Sequence, residues 1–316
     1  MKERKLASCR EAYGKTLVEL GKEIPNLVVL DSDLAVSTKT AEFEKVFPAR
    51  FFNMGVAEQD MMSVAAGLAT TGKVVFASTF AVFATGRAWE QVRISIAYPR
   101  LNVKIVATHG GIVTGEDGVT HQATEDIAIM RVIPNLSIIV PADAPETEKV
   151  IRAVAETFGP VYIRLPRPKI PVLYEEDYEF KIGKAVIMRE GRDVTIIAAG
   201  VMVSHALDAA EMLKKDGIDA RVINMHTIKP LDKEIIMKAA HETGAIVTAE
   251  EHTVIGGLGG AVAEVLVENH AVPMARVGIK DMFAESGKPQ ELLEKYGLTA
   301  EDIVKAVNDV LKRKSR

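Results

Sequence analysis

The run Asn53-Met54-Gly55-Val56-Ala57-Glu58-Gln59 reads as the turn between a short apolar strand and the helix that the strand feeds. Its one carboxylate, Glu58, stands at the mouth of that helix. The helix then carries Met61, Met62, Ala65, Leu68 and Ala69 on one face, and the small run Ala65-Ala66-Gly67 permits close packing. The same strand-then-helix unit recurs on either side. Leu27-Val28-Val29-Leu30, Val74-Val75-Phe76-Ala77, Val103-Lys104-Ile105-Val106 and Ile138-Ile139-Val140 are short β-branched runs, each continuing into helical spacing. That alternation predicts a parallel sheet flanked by helices.

The pattern breaks once and resumes. Pro166, Pro168 and Pro171, followed by Glu175-Glu176-Asp177, have neither helical nor strand periodicity and read as a linker. Beyond it, Val194-Thr195-Ile196-Ile197, Ala220-Arg221-Val222-Ile223, Ala245-Ile246-Val247-Thr248 and Ala275-Arg276-Val277-Gly278 are again strands between helices. The expected fold class is α/β with two parallel-sheet domains, residues 1–168 and 183–316, joined by a linker over 169–182.

At 316 residues the chain can bury two ordinary cores. A net charge of −4, with Lys and Arg dispersed apart from the Lys312-Arg313-Lys314 tail, gives no nucleic-acid or membrane-surface signature. The charged start Met1-Lys2-Glu3-Arg4-Lys5-Leu6 lacks a signal peptide's apolar run, and no segment approaches a membrane span. The single cysteine, Cys9, rules out an internal disulfide framework and fits a reducing compartment. A cytoplasmic protein is expected.

Ligands of open parallel sheets collect at the carboxyl ends of the strands. Asp31-Ser32-Asp33, Glu58 and Ser78-Thr79-Phe80 fall there, as does the polar loop from Thr108 to Gln122. Four glycines in that loop prevent a stable helix and let backbone approach a ligand, while His109, Asp117 and His121 suit polar recognition or proton transfer. The two histidines lack a helical metal-ligand spacing and Cys9 is remote, so no metal site is expected in this chain. A lone loop histidine is better read as capping the Glu125–Arg131 helix; three such residues beside a strand-end carboxylate favour chemistry. Glu58 alone could be a first-turn acid favoured by the helix dipole. Phe80 and Phe83, three apart, share a helix face and on spacing alone read as core. Gly256-Gly257-Leu258-Gly259-Gly260 lacks the acidic partner of a dinucleotide fingerprint and reads as structural.

Asn53 to Ala69, the loop Gly115-Glu116-Asp117-Gly118-Val119-Thr120-His121-Gln122, and the run Pro134-Asn135-Leu136 through Pro141-Ala142-Asp143 together resemble transketolase. The resemblance spans the chain but only the C-terminal half of a full-length enzyme, that is, its pyrimidine-binding and C-terminal domains. It implies thiamine diphosphate as cofactor. Glu58 would be the glutamate that protonates the aminopyrimidine, so that the cofactor's exocyclic nitrogen can deprotonate the thiazolium carbon. Phe80 and Phe83 would line the pyrimidine pocket, where a family tyrosine is replaced by Gly86. His121 and Asp117 would contact sugar hydroxyls, with His121 also counted as catalytic. His109 and Arg164 would hold the sugar phosphate, with Arg10 and Ser37 as further phosphate contacts.

Thiamine enzymes hold the diphosphate and its divalent ion through Gly-Asp-Gly, which this chain lacks. The resemblance therefore implies a split transketolase: an N-terminal partner subunit supplies the diphosphate site and most of the Mg2+ or Ca2+ binding, in an α2β2 assembly. The nearest alternatives are a 1-deoxyxylulose-5-phosphate synthase-like enzyme and the beta subunit of a 2-oxo acid dehydrogenase. A non-catalytic assembly or regulatory subunit is the alternative of another class.

Overall fold

The computed structural model describes residues 4–175 and 178–314. Met1-Lys2-Glu3 of the charged start and Glu176-Asp177 of the acidic stretch lie outside them. Before the break run β1 (Leu6–Ala7), β2 (Leu27–Asp31), β3 (Phe51–Asn53), β4 (Val74–Phe80), β5 (Val103–Thr108), β6 (Ser137–Ile139), β7 (Val161–Arg164) and β8 (Ile170–Pro171). After it come β9 (Val186–Arg189), β10 (Val194–Ala198), β11 (Ala220–Asn224), β12 (Thr227–Lys229), β13 (Ile246–Thr253) and β14 (Met274–Ile279). They form a sheet in the order β12-β6-β7-β5-β4-β2-β3 and another in the order β14-β13-β10-β11-β9. Pairing within both is parallel except at β6–β12 and β9–β11. Both faces of β5 are buried, as expected in a sheet covered by helices, and its one interior cation, Lys104, donates to the Thr157 and Gly159 carbonyls. β1 and β8 make a separate antiparallel pair that ties the two ends of the first unit together.

The chain leaves β2 outward to β3 and then returns to β4 on β2's other side, so the direction of winding reverses at β2 and β4. That reversal opens a crevice at the carboxyl ends of these strands. The helix Glu58–Thr70 leads from β3 back across the sheet and buries Met61, Met62, Ala65, Ala66 and Ala69. At the end of β2, Asp31 accepts hydrogen bonds from the Leu34 amide and from the Thr38 and Thr40 hydroxyls. Its carboxyl is thus spent on folding the turn.

The two units are more entwined than their sequence pattern suggests. β12, which follows the linker, closes the first sheet's edge against β6. Each of the two buried apolar clusters also draws residues from both sides of the linker. The Gly256–Gly260 run has a structural task. Glu250 accepts from the Leu258 and Gly259 amides at 2.6 and 2.7 Å, so the start of the Leu258–Asn269 helix already holds its own carboxylate. Among the described residues no helix is long and apolar enough to cross a membrane. Cys9 is fully buried, and burial pushes its thiol up to about 12.

Candidate active site

Glu58 is the first residue of its helix, and its carboxylate is only 1% exposed. It is not alone there. Nη1 of Arg87 donates to both of its oxygens, at 3.1 and 2.9 Å, while the Arg87 side chain remains 48% exposed. The same guanidinium lies 4.4 Å from the centre of the Phe83 ring. No periodicity links residues 29 apart in sequence, so this partner was invisible in the sequence. It is brought round by the π-helical turn Phe83–Arg87, a rare winding that is frequent at functional sites.

Phe80 and Phe83 do not share a helix face. Phe80 ends β4, which runs three residues past its apolar stretch because Ser78 is buried against the Tyr13 hydroxyl at 2.7 Å; Phe83 opens the π turn. The rings still stack, with centroids 6.0 Å apart and 17° between their planes. His109 stacks on Phe80 at 3.7 Å, and the edge of His121 meets Phe83 at 5.4 Å. Glu58, Phe80, Phe83, His109 and His121 thus form one contiguous group, with Arg87 between the carboxylate and the rings.

The glycine-rich loop folds as two 3-10 turns over Ile112–Asp117, broken at Gly115 (φ +80°). His109 itself sits at φ +60°, a strained conformation for a non-glycine residue of the kind that clusters at functional sites. Its carbonyl accepts from the Thr114 hydroxyl, and its Nδ1 bonds the Thr108 hydroxyl. Burial, then Arg10 and Arg167, push its imidazole down to about 3, so the ring is neutral near pH 7. His121 is half-buried, with Nδ1 on the Thr120 hydroxyl. Asp117 is exposed at the end of the second 3-10 turn, on the rim rather than in the ring cluster.

Arg164 is placed differently from expectation. It is 5% exposed, and its Nε donates to Asp126 at 2.9 Å while Nη2 donates to the Ala123 and Glu251 carbonyls. The Glu251 carboxylate, 3.7 Å from Nη1, in turn accepts from the Val113 amide at 2.7 Å. Arg164 is therefore the centre of a buried ion cluster that fastens the histidine loop to the second unit, and its donors do not face the crevice. The arginine that does lies three residues on. Pro166 ends the strand segment, and Arg167 beyond it is partly exposed. Its Nη1 donates to the Thr114 carbonyl and to Glu116 at 2.7 and 2.8 Å. Arg10 bonds the Ser37 and Arg167 carbonyls, both at 2.7 Å, and its Nε is buried with no hydrogen-bond partner. With Lys39 and Lys169 the two arginines line a cavity of about 260 Å3. Burial and then the neighbouring Arg167 lower the Arg10 pKa, as expected for like charges held close together, although Glu11 and Glu116 also line the cavity. A separate cavity of about 830 Å3 lies between β14 and the helix Ala300–Lys314 and shares none of these residues.

The crevice thus brings together a buried carboxylate, an aromatic pair, two histidines and a pocket rich in cationic side chains. Residues 5–172 match the family model of the transketolase pyrimidine-binding domain, and residues 183–303 that of the transketolase C-terminal domain. The chain belongs to the transketolase family. A relative from Methanocaldococcus jannaschii described as a transketolase C-terminal section is 56% identical over 96% of either chain. The 6-deoxy-6-sulfo-D-fructose transketolase subunit of a Clostridium species is 45% identical over 97% of this chain and 95% of its own. A solved structure, a split-gene transketolase in an inactive beta4 tetramer, superposes with a TM-score of 0.92 at 57% identity, covering 97% of this chain and 99% of that one.

The family implies thiamine diphosphate, and the donor set fits one end of it. Glu58 and the Phe80–Phe83 pair suit an aminopyrimidine: a buried acceptor for a ring nitrogen beside apolar ring faces. For the diphosphate and its metal the chain offers no Gly-Asp-Gly, and among the described residues no cluster of His, Cys, Asp or Glu could hold a metal ion.

Proposed function

We propose that this chain is the pyrimidine-activating subunit of a two-polypeptide transketolase, moving a two-carbon ketol unit between sugar derivatives once a partner supplies the diphosphate and metal site. The observation that carries this reading is Glu58, buried beside Phe80 and Phe83, in a chain without the diphosphate motif. The catalytic unit, residues 1–168, and the second unit, residues 183–316, enter an α2β2 assembly in this reading. The lone, buried Cys9 suits a reducing, cytoplasmic setting.

Bound thiamine diphosphate supplies a carbon nucleophile for the ketose carbonyl. Glu58 shares a proton with the pyrimidine nitrogen in a site where the ring pair excludes water, so a single hydrogen bond shifts proton occupancy strongly. His121, half-buried at the edge of the rings, handles protons at the sugar hydroxyls, with Asp117 at the rim. Neutral His109 donates to or accepts from the substrate without adding charge. Arg10, beside Ser37, and Arg167 hold the anionic end of the sugar, since guanidinium forks match a tetrahedral oxyanion. That chemistry suits a phosphate or a sulfonate equally.

The test mixes the purified chain with its diphosphate-binding partner, thiamine diphosphate and Mg2+, and follows ketol transfer to ribose 5-phosphate. Xylulose 5-phosphate and 6-deoxy-6-sulfofructose serve as alternative donors, and their relative kcat/KM assigns the anion. Activity is expected only in the mixture, and Glu58→Gln should lower kcat about 100-fold or more while the subunits still associate. Robust transfer by the chain alone would overturn the split-subunit reading.

A further inference from the structure

Arg87 is the one residue touching Glu58's carboxylate that the proposed chemistry does not use. Its guanidinium is flat, lies against the Phe83 ring at 4.4 Å, and presents an N–H to both carboxylate oxygens. Those are the demands a protonated aminopyrimidine makes of the same pocket: a planar cation, a ring face, and a donor aimed at the buried acid. The neighbouring Gly86 leaves open space, since nothing stands within 4 Å of where a side chain would begin.

We propose that Arg87 is a positioning residue for cofactor entry: it seats its guanidinium in the pyrimidine's place, keeping the buried Glu58 carboxylate satisfied, and is displaced when the cofactor's ring arrives. This deepens the function proposed above and rests on it. Three features make displacement feasible. Arg87 is 48% exposed, so its head can swing into water. Its hold on the carboxylate comes from a single nitrogen, Nη1, rather than the two-nitrogen fork that makes arginine pairs hard to break. It is also carried on a π turn rather than a regular helix, so its swing need not disturb the strand that holds Phe80. Leaving Glu58 bare would strand a buried charge, which explains why the seat is filled.

A competitor inside the pocket weakens apparent cofactor affinity by the strength of its own contact. For a half-exposed ion pair that is a factor of about five. Calorimetric titration of the reconstituted two-polypeptide enzyme with thiamine diphosphate measures it directly. Arg87→Met should bind the cofactor about fivefold more tightly. Arg87→Lys, which keeps a cation but not the flat fork, should fall between Arg87→Met and the unmodified protein. The fluorescence of Trp89, the chain's only tryptophan and two residues along the same segment, should change on cofactor binding in the unmodified protein and less in Arg87→Met, where no guanidinium has to move. Equal or weaker affinity in Arg87→Met, with Arg87→Lys no different from it, would overturn the proposal. Glu58→Gln separates the two readings. If that variant loses turnover while Arg87→Met fails to tighten binding, only the role of Arg87 falls; if Glu58→Gln changes nothing, the function proposed for the site falls with it.

Discussion

At the scale of single residues, the histidine loop shows how burial selects a protonation state. His109 sits in the left-handed region, stacked on Phe80 and facing the Arg10–Arg167 pair. Its pKa in the folded chain is about 3, against an ordinary 6.5. Between those values the unfolded chain binds the extra proton and the folded chain does not. The stability it contributes is complete above about 6.5 and is lost as pH falls toward about 3. Thermal melts from pH 7 to pH 4 should therefore lose less of their midpoint in His109→Gln than in the unmodified protein, the raised carboxyls of Asp31, Glu146 and Glu251 acting in the opposite sense in both, so that the variant flattens this part of the profile. The flattening will be partial, because burial also pushes His226 down to about 4. An identical pH profile in the variant would show that the His109 proton is not linked to folding. The sequence made His109 visible through its loop and Glu58 through its helix mouth. It could not reveal Arg87, whose pairing exists only after a π turn has folded 29 residues of chain back on itself.

At the scale of elements, most of the fold was legible and two misplacements are instructive. Runs such as Leu27–Asp31 announced themselves because a strand buried on both faces has few polar options. β12 did not, since three residues carry no period and its partner β6 lies far away in sequence. Arg164 stands near a strand end, which suggests a phosphate ligand, yet its face of the strand is covered by Asp126 and, from beyond the linker, by Glu251. Pro166 is the signal that could have corrected this, because the first arginine past the end of the strand is Arg167. The two arginines should respond to substitution in opposite ways. Arg164→Met leaves Asp126 and Glu251 as buried, uncompensated acids and should cost about 3 kcal/mol of stability, read from the midpoint of urea unfolding. Arg167→Ala should change stability by no more than about 0.5 kcal/mol, yet raise KM for the anionic sugar about tenfold through loss of a charge-assisted contact. If Arg164→Met were stable and impaired only in KM, the assignment from sequence would be reinstated.

At the scale of the whole molecule, the second unit is a clamp. Glu251 pins Val113, Gln122 donates to the Glu285 carbonyl, and Thr253 donates to the Thr124 carbonyl, so the substrate loop is fixed from across the linker. Among the described residues, no such hydrogen bonds from beyond the linker reach the opposite wall of the crevice. There the exposed apolar residues Val36 and Val56, 77% and 75% accessible, stand beside Ser37 and two residues before Glu58. Scattered exposed apolar side chains are ordinary on a protein surface, but Val36 lies on the short helix Ala35–Thr38 that follows β2 and Val56 on the turn into the Glu58 helix, both at the crevice. In the proposed two-polypeptide enzyme, a partner that completes the cofactor site would cover them, and burying a valine at the centre of such a contact contributes on the order of 1 to 2 kcal/mol. Val56→Asp should therefore weaken association of the two polypeptides about tenfold or more, measured by sedimentation velocity over a concentration series. The melting temperature of the chain alone should be unchanged, because Val56 contributes little to its core. Activity lost in the variant at low subunit concentration should return when the partner is supplied in excess, which a defect in chemistry would not allow. Unaltered association would place the partner on another face.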